Sequence, residues 1–380
     1  MTKCLLLVLP LALLPACGGG GTVSKPVAAA PAQKAAPPSS AAVTKMVQGT
    51  LAAKELGPAN GRERAIQLFR EAVSLDPNLW EAHYDLGVVL ALSGDLAGAE
   101  DSLRKAQKLS PDTIEVVMAL AEVERRRGEN KDGADLLGEY LRRHPTAVDV
   151  QARYVSALRD SGQVDKAMVQ SRELLAKRPG DASALAELAL CHLAKGERDM
   201  ASLLAQQALT ANPKSAVAER ATGLVLLAAG DDARAFGAFA KAAQQDPQDT
   251  TARLNMGSVL LRAGAYGKAE EQYRAILTVS PEDGDAKLGL AAALRGQGSR
   301  EHAEKWNDAR TVLEGLLARE PHNVAALFNL AVLHIEFLKR PADARPLLTR
   351  FLADAPGDHP ARADADRYLA SVKETKEAPK

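Results

Sequence analysis

The chain has 380 residues, 48 Lys plus Arg against 48 Asp plus Glu, 46% hydrophobic residues and only 4% aromatic ones. A formal charge of zero lacks the basic excess of a dedicated nucleic-acid binder, so no nucleic acid is expected as a partner. Three cysteines exclude a disulfide scaffold, and a core drawn from Ala, Leu and Val favours closely packed helices over sheet.

The chain opens on an apolar leader. After Lys3, Cys4 to Cys17 is apolar throughout, shorter than the about 20 residues that span a bilayer and broken by Pro10 and Pro15. A basic start, an apolar middle and a small residue before the cut is the secretory pattern. Leu14-Pro15-Ala16-Cys17 resembles the bacterial lipobox, departing from it at Pro15, where a small or branched residue is usual. The resemblance implies that residues 1–16 are a lipoprotein signal peptide and that Cys17 is lipidated, with diacylglycerol on its sulfur and a further acyl chain, such as palmitate, on its amine. Gly18 follows, not the Asp that resembles an inner-membrane retention signal, so the resemblance implies a lipid anchor in the outer membrane facing the periplasm. Residues 17–43, with Gly18 to Gly21 and then Ala, Pro and Ser, read as a flexible tether.

From residue 44 to 357 the sequence repeats itself. Pro77, Pro111, Pro145, Pro179, Pro213, Pro247 and Pro281 are each 34 apart, and Pro321 and Pro356 follow after 40 and 35. Each closes an amphipathic helix such as Ala65 to Val73. A second ladder, Gly94, Gly128, Gly162, Gly196, Gly230, Gly264 and Gly298, ends the other helix of each period, where a left-handed residue is expected. Small residues such as Gly87, Gly223 and Gly257 share one place in the first helix, and Ala99, Ala201 and Ala269 share one in the second. Large residues such as Leu103, Phe239 and Tyr273 stand beside them, a pattern for close antiparallel packing.

His83, Leu86, Gly87, Leu90, Gly94, Ala99, Leu103, Ala106 and Pro111 resemble the tetratricopeptide repeat, with His83 in place of the usual Trp. The resemblance implies an all-α fold, a right-handed α-solenoid of about nine helix-turn-helix repeats near 46–79, 80–113, 114–147, 148–181, 182–215, 216–249, 250–283, 284–323 and 324–357. The first repeat is degenerate and turns at Gly57 to Gly61. The eighth carries six extra residues around Ser299 to Lys305, and the ninth carries one and turns at Lys339-Arg340-Pro341. A capping helix is expected over 358–373, with Ala365, Tyr368, Leu369 and Val372 inward, then a tail at 374–380.

By the same resemblance the first helices line a concave face. Carried onto this chain, that gives a partner groove of Tyr84, Val88, Leu190, Leu193, Leu224, Leu227, Leu254, Leu261, Leu288, Phe328 and Val332. Such a stripe fits an extended or helical apolar segment of a protein partner. The competing reading is that these leucines pack against neighbouring helices and expose little. Glu115, Glu122, Arg125, Arg126, Arg159 and Asp160 form a charged patch in repeats three and four, read as solvated surface. Asn255 and Asn329 lack the companion Lys and Asn of a carboxylate clamp.

Nothing points to catalysis. The seven His form no close ligand pair, and His83, His192 and His334 stand at packing positions. Cys191, between Leu190 and His192, reads as structural. No metal site, cofactor or enzymatic activity is expected. The expected function is a scaffold or assembly factor in an envelope machine, by analogy with lipoproteins of pilus, secretin or gliding-motility assembly. The alternatives are a carrier or sensor for a small ligand or glycan, for which Tyr84 and Phe328 are the stacking aromatics on offer, and a non-catalytic subunit of an envelope enzyme.

Overall fold

The computed structural model describes residues 38–55, 58–247 and 249–374, and among them there is no strand. The leader, Cys17 and the tether up to residue 37 lie outside the described residues, as does the tail from 375. Nine helix pairs and a final helix follow one another. They are α1 (Ser40–Glu55) and α2 (Pro58–Leu75), α3 (Trp80–Leu92) and α4 (Leu96–Leu109), α5 (Ile114–Arg126) and α6 (Asn130–Arg143), and α7 (Val148–Asp160) and α8 (Val164–Lys177). Next come α9 (Ala182–Ala194) and α10 (Arg198–Ala211), α11 (Ala216–Ala228) and α12 (Asp232–Gln245), and α13 (Thr250–Arg262) and α14 (Tyr266–Val279). The last are α15 (Gly284–Gln297) and α16 (Glu304–Arg319), α17 (Val324–Val332) and α18 (Pro341–Asp354), and α19 (Arg362–Glu374). Each helix packs on its sequence neighbours, and the first helices from α1 to α11, and α13 with α15, also pack on one another, as in a solenoid. Helix α1 begins at Ser40, ahead of the expected end of the tether, and α2 already includes Asn60 and Gly61, which the sequence reading placed in a turn.

The proline ladder works by turn geometry. From Pro77 to Pro321 the carbonyl of the residue before each ladder proline accepts from the backbone N–H two residues after it, as in Ser280 to Asp283 at 3.1 Å, so proline takes the second turn position, where its fixed φ fits. In five repeats the residue that donates this N–H also caps the next helix. Asp181, Ser215, Asp249, Asp283 and Asn323 each accept, through the side chain, the backbone N–H three residues on, at 2.8–3.2 Å. Successive repeats are also tied at this turn. Arg143, Lys177 and Gln245 donate to the carbonyls of Pro111, Pro145 and Pro213, one repeat earlier.

The glycine ladder holds for six of its seven members. Gly94, Gly128, Gly162, Gly196, Gly230 and Gly264 have φ between +70 and +81°, the left-handed helix stop. Gly298 does not, and this corrects the sequence reading: its φ is −64°. The extra residues of repeat eight change the exit from α15 and bring Trp306 over it. Trp306 donates its indole N–H to the Arg295 carbonyl, and a Cβ on Gly298 would lie 2.0 Å from that nitrogen. Glycine is needed there for space. In repeat nine the extra residue is absorbed as a π-helix at Leu333–Phe337, followed by Lys339 at φ +57°.

The core is made of large residues set against bare backbone. A Cβ on Gly223 would lie 2.5 Å from Phe239, and one on Gly87 would lie 2.6 Å from Leu103. Tyr273 is held between Gly257 and Gly289, at 2.5 and 2.2 Å by the same measure. Phe239 and Leu103 are fully buried. Ala365 and Val372 of α19 are buried and Tyr368 and Leu369 half-buried, closing the apolar end of the stack.

One buried acid is strained electrostatically. Glu124 on α5 accepts from Arg104 Nη2 at 3.0 Å through Oε1, while its buried Oε2 has no hydrogen-bond partner. Burial raises its pKa to about 7; Arg104 pulls the other way, and Asp132 and Glu129 add to the rise. The folded chain therefore holds this proton more tightly than the unfolded one, and Glu124 takes stability from the fold as pH rises from about 4.5 to about 7. Glu124→Gln removes the titration. Relative to wild type, the variant is expected to gain stability between pH 5 and pH 8, read as the difference in urea midpoints. A difference that does not change with pH would contradict this assignment.

Candidate interaction surface

Five successive first helices, α5, α7, α9, α11 and α13, contribute side chains to one cavity of about 670 Å³. Only the inner side of a curved stack brings five first helices to one space, so this is the concave face. Its walls are charged. Glu122 accepts from Arg125 at 3.0 and 2.7 Å and stands 3.4 Å from Arg153. Arg159 donates to Glu187 on α9 at 3.0 Å and reaches Asp160 at 2.7 Å. Arg220 on α11 meets Asp249 at 2.5 Å, so the carboxylate that caps α13 also ties α11 to it.

These pairs set their own charge states. Burial works to raise the Glu122 pKa, but the hydrogen bonds and charge of Arg125, with Arg153 and Arg126 beyond, hold it below the usual carboxylate range. Burial works to lower that of Arg159, and the Glu187 and Asp160 carboxylates reverse it. Glu122 therefore stays an ionised acceptor and Arg159 an ionised donor at neutral pH. The cavity joins Glu122, Arg125, Arg159 and Asp160, read from the sequence as solvated surface, to Arg220, which the repeat pattern also places on the first helices' inner side, and to Arg153.

Of the eleven groove residues read from the sequence, Leu190 is buried and the other ten are half-buried. Leu190 and Leu224 form the apolar part of the charged cavity. Leu193, Leu227, Leu254, Leu261 and Leu288 pack against the cores of neighbouring repeats. Tyr84 packs against the second-repeat core and Phe328 on Phe351, ring centres 5.2 Å apart, so packing takes up part of each ring. Val88 and Val332 lie half-buried on α3 and α17. The concave face is thus a charged trough with leucines half-sunk in its floor.

Two tetratricopeptide repeat family models match the chain, one over residues 50–113, 195–250 and 254–306 and the other over 302–365, together more than half of it. The chain belongs to the tetratricopeptide repeat family. No curated protein matches it. A crystal structure of a tetratricopeptide repeat protein from Parabacteroides merdae is similar at 15% identity and a TM-score of 0.43, covering 77% of this chain and 98% of that one. Tetratricopeptide repeat proteins are in general non-catalytic scaffolds that bind protein partners, and protein interaction is the coarse function of this chain.

The remaining candidates of this tetratricopeptide protein are packing residues. His83 is buried and its Nε2 meets the Pro77 carbonyl at 3.0 Å; His192 is buried with Nδ1 2.5 Å from Glu197. Cys191 is fully buried and its thiol is pushed up to about 11, chiefly by burial, leaving little thiolate at neutral pH. Among the described residues no cluster of His, Cys, Asp or Glu is placed to hold a metal ion, and no helix is long and apolar enough to cross a membrane.

Proposed function

We propose that this protein is a lipid-anchored scaffold of the outer membrane that holds an extended or helical segment of a protein partner on its concave face, as an assembly factor of an envelope machine such as a pilus, secretin or gliding-motility complex. The observation that carries the binding half is the single cavity shared by five first helices. Its arginine and carboxylate pairs offer donors and acceptors in register along the trough, and Leu190 and Leu224 offer apolar seats between them. A segment carrying both charged and aliphatic side chains suits that wall. The anchoring half rests on Leu14-Pro15-Ala16-Cys17.

The test is capture from solubilised membranes of cells making the wild type, the Leu224→Glu/Leu254→Glu variant and the Cys17→Ala variant. The leucine variant is expected to keep its helical circular dichroism and lose the captured protein. The cysteine variant is expected to leave the membrane fraction and take up no labelled palmitate. Unchanged capture by a folded leucine variant would contradict the concave site, and palmitate on the cysteine variant would contradict the anchor.

A further inference from the structure

The end of α3 carries three guanidiniums from three different repeats. Arg126 of α5 donates to the Ala91 carbonyl at 2.9 Å, Arg62 of α2 to Leu92 at 3.2 Å, and Arg319 of α16 to Ser93 at 3.4 Å. The first two are near neighbours along the stack, but Arg319 lies 226 residues from Ser93. Arg62 reaches just as far in the other direction. Its second Nη donates at 2.9 Å to Val279, the last residue of α14, 217 residues away. Between the two helix ends stands Glu282, 3.1 Å from Arg319 Nε and paired with Lys287.

A helix C-terminus presents carbonyls without partners and a partial negative charge. Two such ends brought together, with a carboxylate between them, repel one another. Arg62 and Arg319 supply the positive charge and the donors that make the approach favourable. The approach is also close. A Cβ on Gly94 would lie 2.0 Å from the Cβ of Glu282, whereas one on Gly128, with φ +80° against +81°, would meet nothing within 4 Å. Gly94 therefore meets two demands, a left-handed stop and a bare surface, where Gly128 meets one. Across the same gap the Asp283 carboxylate acts on Arg125 and Arg126 of α5.

We propose that the solenoid closes on itself at this point. Arg62 and Arg319 form a clasp between the first two repeats and the seventh and eighth, which turns the concave trough into a channel, and the clasp must open to admit a partner from the side. Its opening regulates the concave site, and in that respect it rests on the reading that the partner sits there. The contacts are part charged and part exposed, so added salt weakens them.

The experiment measures closure without any partner. Spin labels are placed at Ala97→Cys and Gly315→Cys on the purified full chain, with Cys4 and Cys17 replaced by Ser and Cys191 buried beyond labelling. Pulsed electron–electron resonance is expected to give one narrow, short distance at low salt. Arg62→Ala/Arg319→Ala and Gly94→Ala are each expected to shift and broaden it to longer distances, with Gly128→Ala leaving it in place. A broad wild-type distribution that the arginine variant leaves unaltered, or an equal shift from Gly94→Ala and Gly128→Ala, would overturn the clasp. Because no partner is present, this outcome is independent of the capture experiment. If the concave reading also holds, the clasp variant captures partner faster than wild type; an unchanged rate would remove the gating role and leave only the closure.

Discussion

Phe239→Ala is expected to cost about 3–5 kcal/mol, the range for removing a large buried aromatic side chain. Where in that range the loss falls depends on what surrounds the ring. Phe239 is fully buried and lies against Gly223 on one side, with Ala235, Ala242, Ala243 and Ala252 in the same cluster. The alanines and the glycine have no side chain that can swing into the space, while Met256 and Val259 of the same cluster can relax into it in part, which places the loss inside that range and not at its top. In a solenoid each repeat is held by its neighbours, and a weak repeat divides the stack into two blocks. The urea transition followed by circular dichroism should therefore move to lower concentration and broaden. Hydrogen exchange should rise first in α11, α12 and α13. A loss under about 1 kcal/mol would mean that the aromatic-on-glycine contact is not what holds this repeat.

Arg159→Met is the second large effect, and it acts through charge. Glu187 keeps 8% of its side-chain exposure and has Arg159 as its ion-pair partner at 3.0 Å. Replacing the guanidinium by an apolar group of similar length leaves a buried carboxylate beside the Cys191 thiol. Breaking a buried pair from one side costs about 3–5 kcal/mol, and the partial exposure of Arg159 places this case near the lower end. The double variant Arg159→Met/Glu187→Met should recover the part of the loss that comes from the stranded Glu187, while Asp160, which Arg159 also reaches at 2.7 Å, loses that partner in both variants. The measurement is a double-variant cycle in urea. A double variant no more stable than Arg159→Met would show that the pair is not the source of the cost.

Much of this fold is legible in the sequence because its signals are local and repeat. Proline in the second turn position, a left-handed glycine after the first helix and a small residue opposite a large one each depend on neighbours within one period. Repetition then makes Pro77 to Pro281 and Gly94 to Gly264 stand out. The capping residues Asp181, Ser215, Asp249, Asp283 and Asn323 obey the same period and were within reach of the same reading. Gly298 shows where register fails. It keeps its place in the ladder, but the residues inserted after it bring Trp306 across, and the reason for glycine changes from backbone angle to space.

The concave face was legible only by position. Sequence spacing places Leu254 and Leu288 on first helices, but how far they sink between helices depends on the rotation from one repeat to the next. That rotation also brings Glu122 and Arg220 to one cavity. The clasp is the extreme case. Arg319 stands two residues before Pro321, the place that Arg143, Lys177 and Gln245 hold in their repeats, yet its contact and that of Arg62, 226 and 217 residues distant, exist only because small rotations accumulate until the chain meets itself.

The central claim is that the partner sits on the concave side. A photoreactive amino acid placed at Asn255, in the trough, or at Val169, on the outward face of α8 and 51% exposed, tests it in intact cells. Irradiation should join a partner protein to the chain from position 255 and none from position 169. Adducts from 169 with none from 255 would place the partner on the outside of the solenoid and contradict the account.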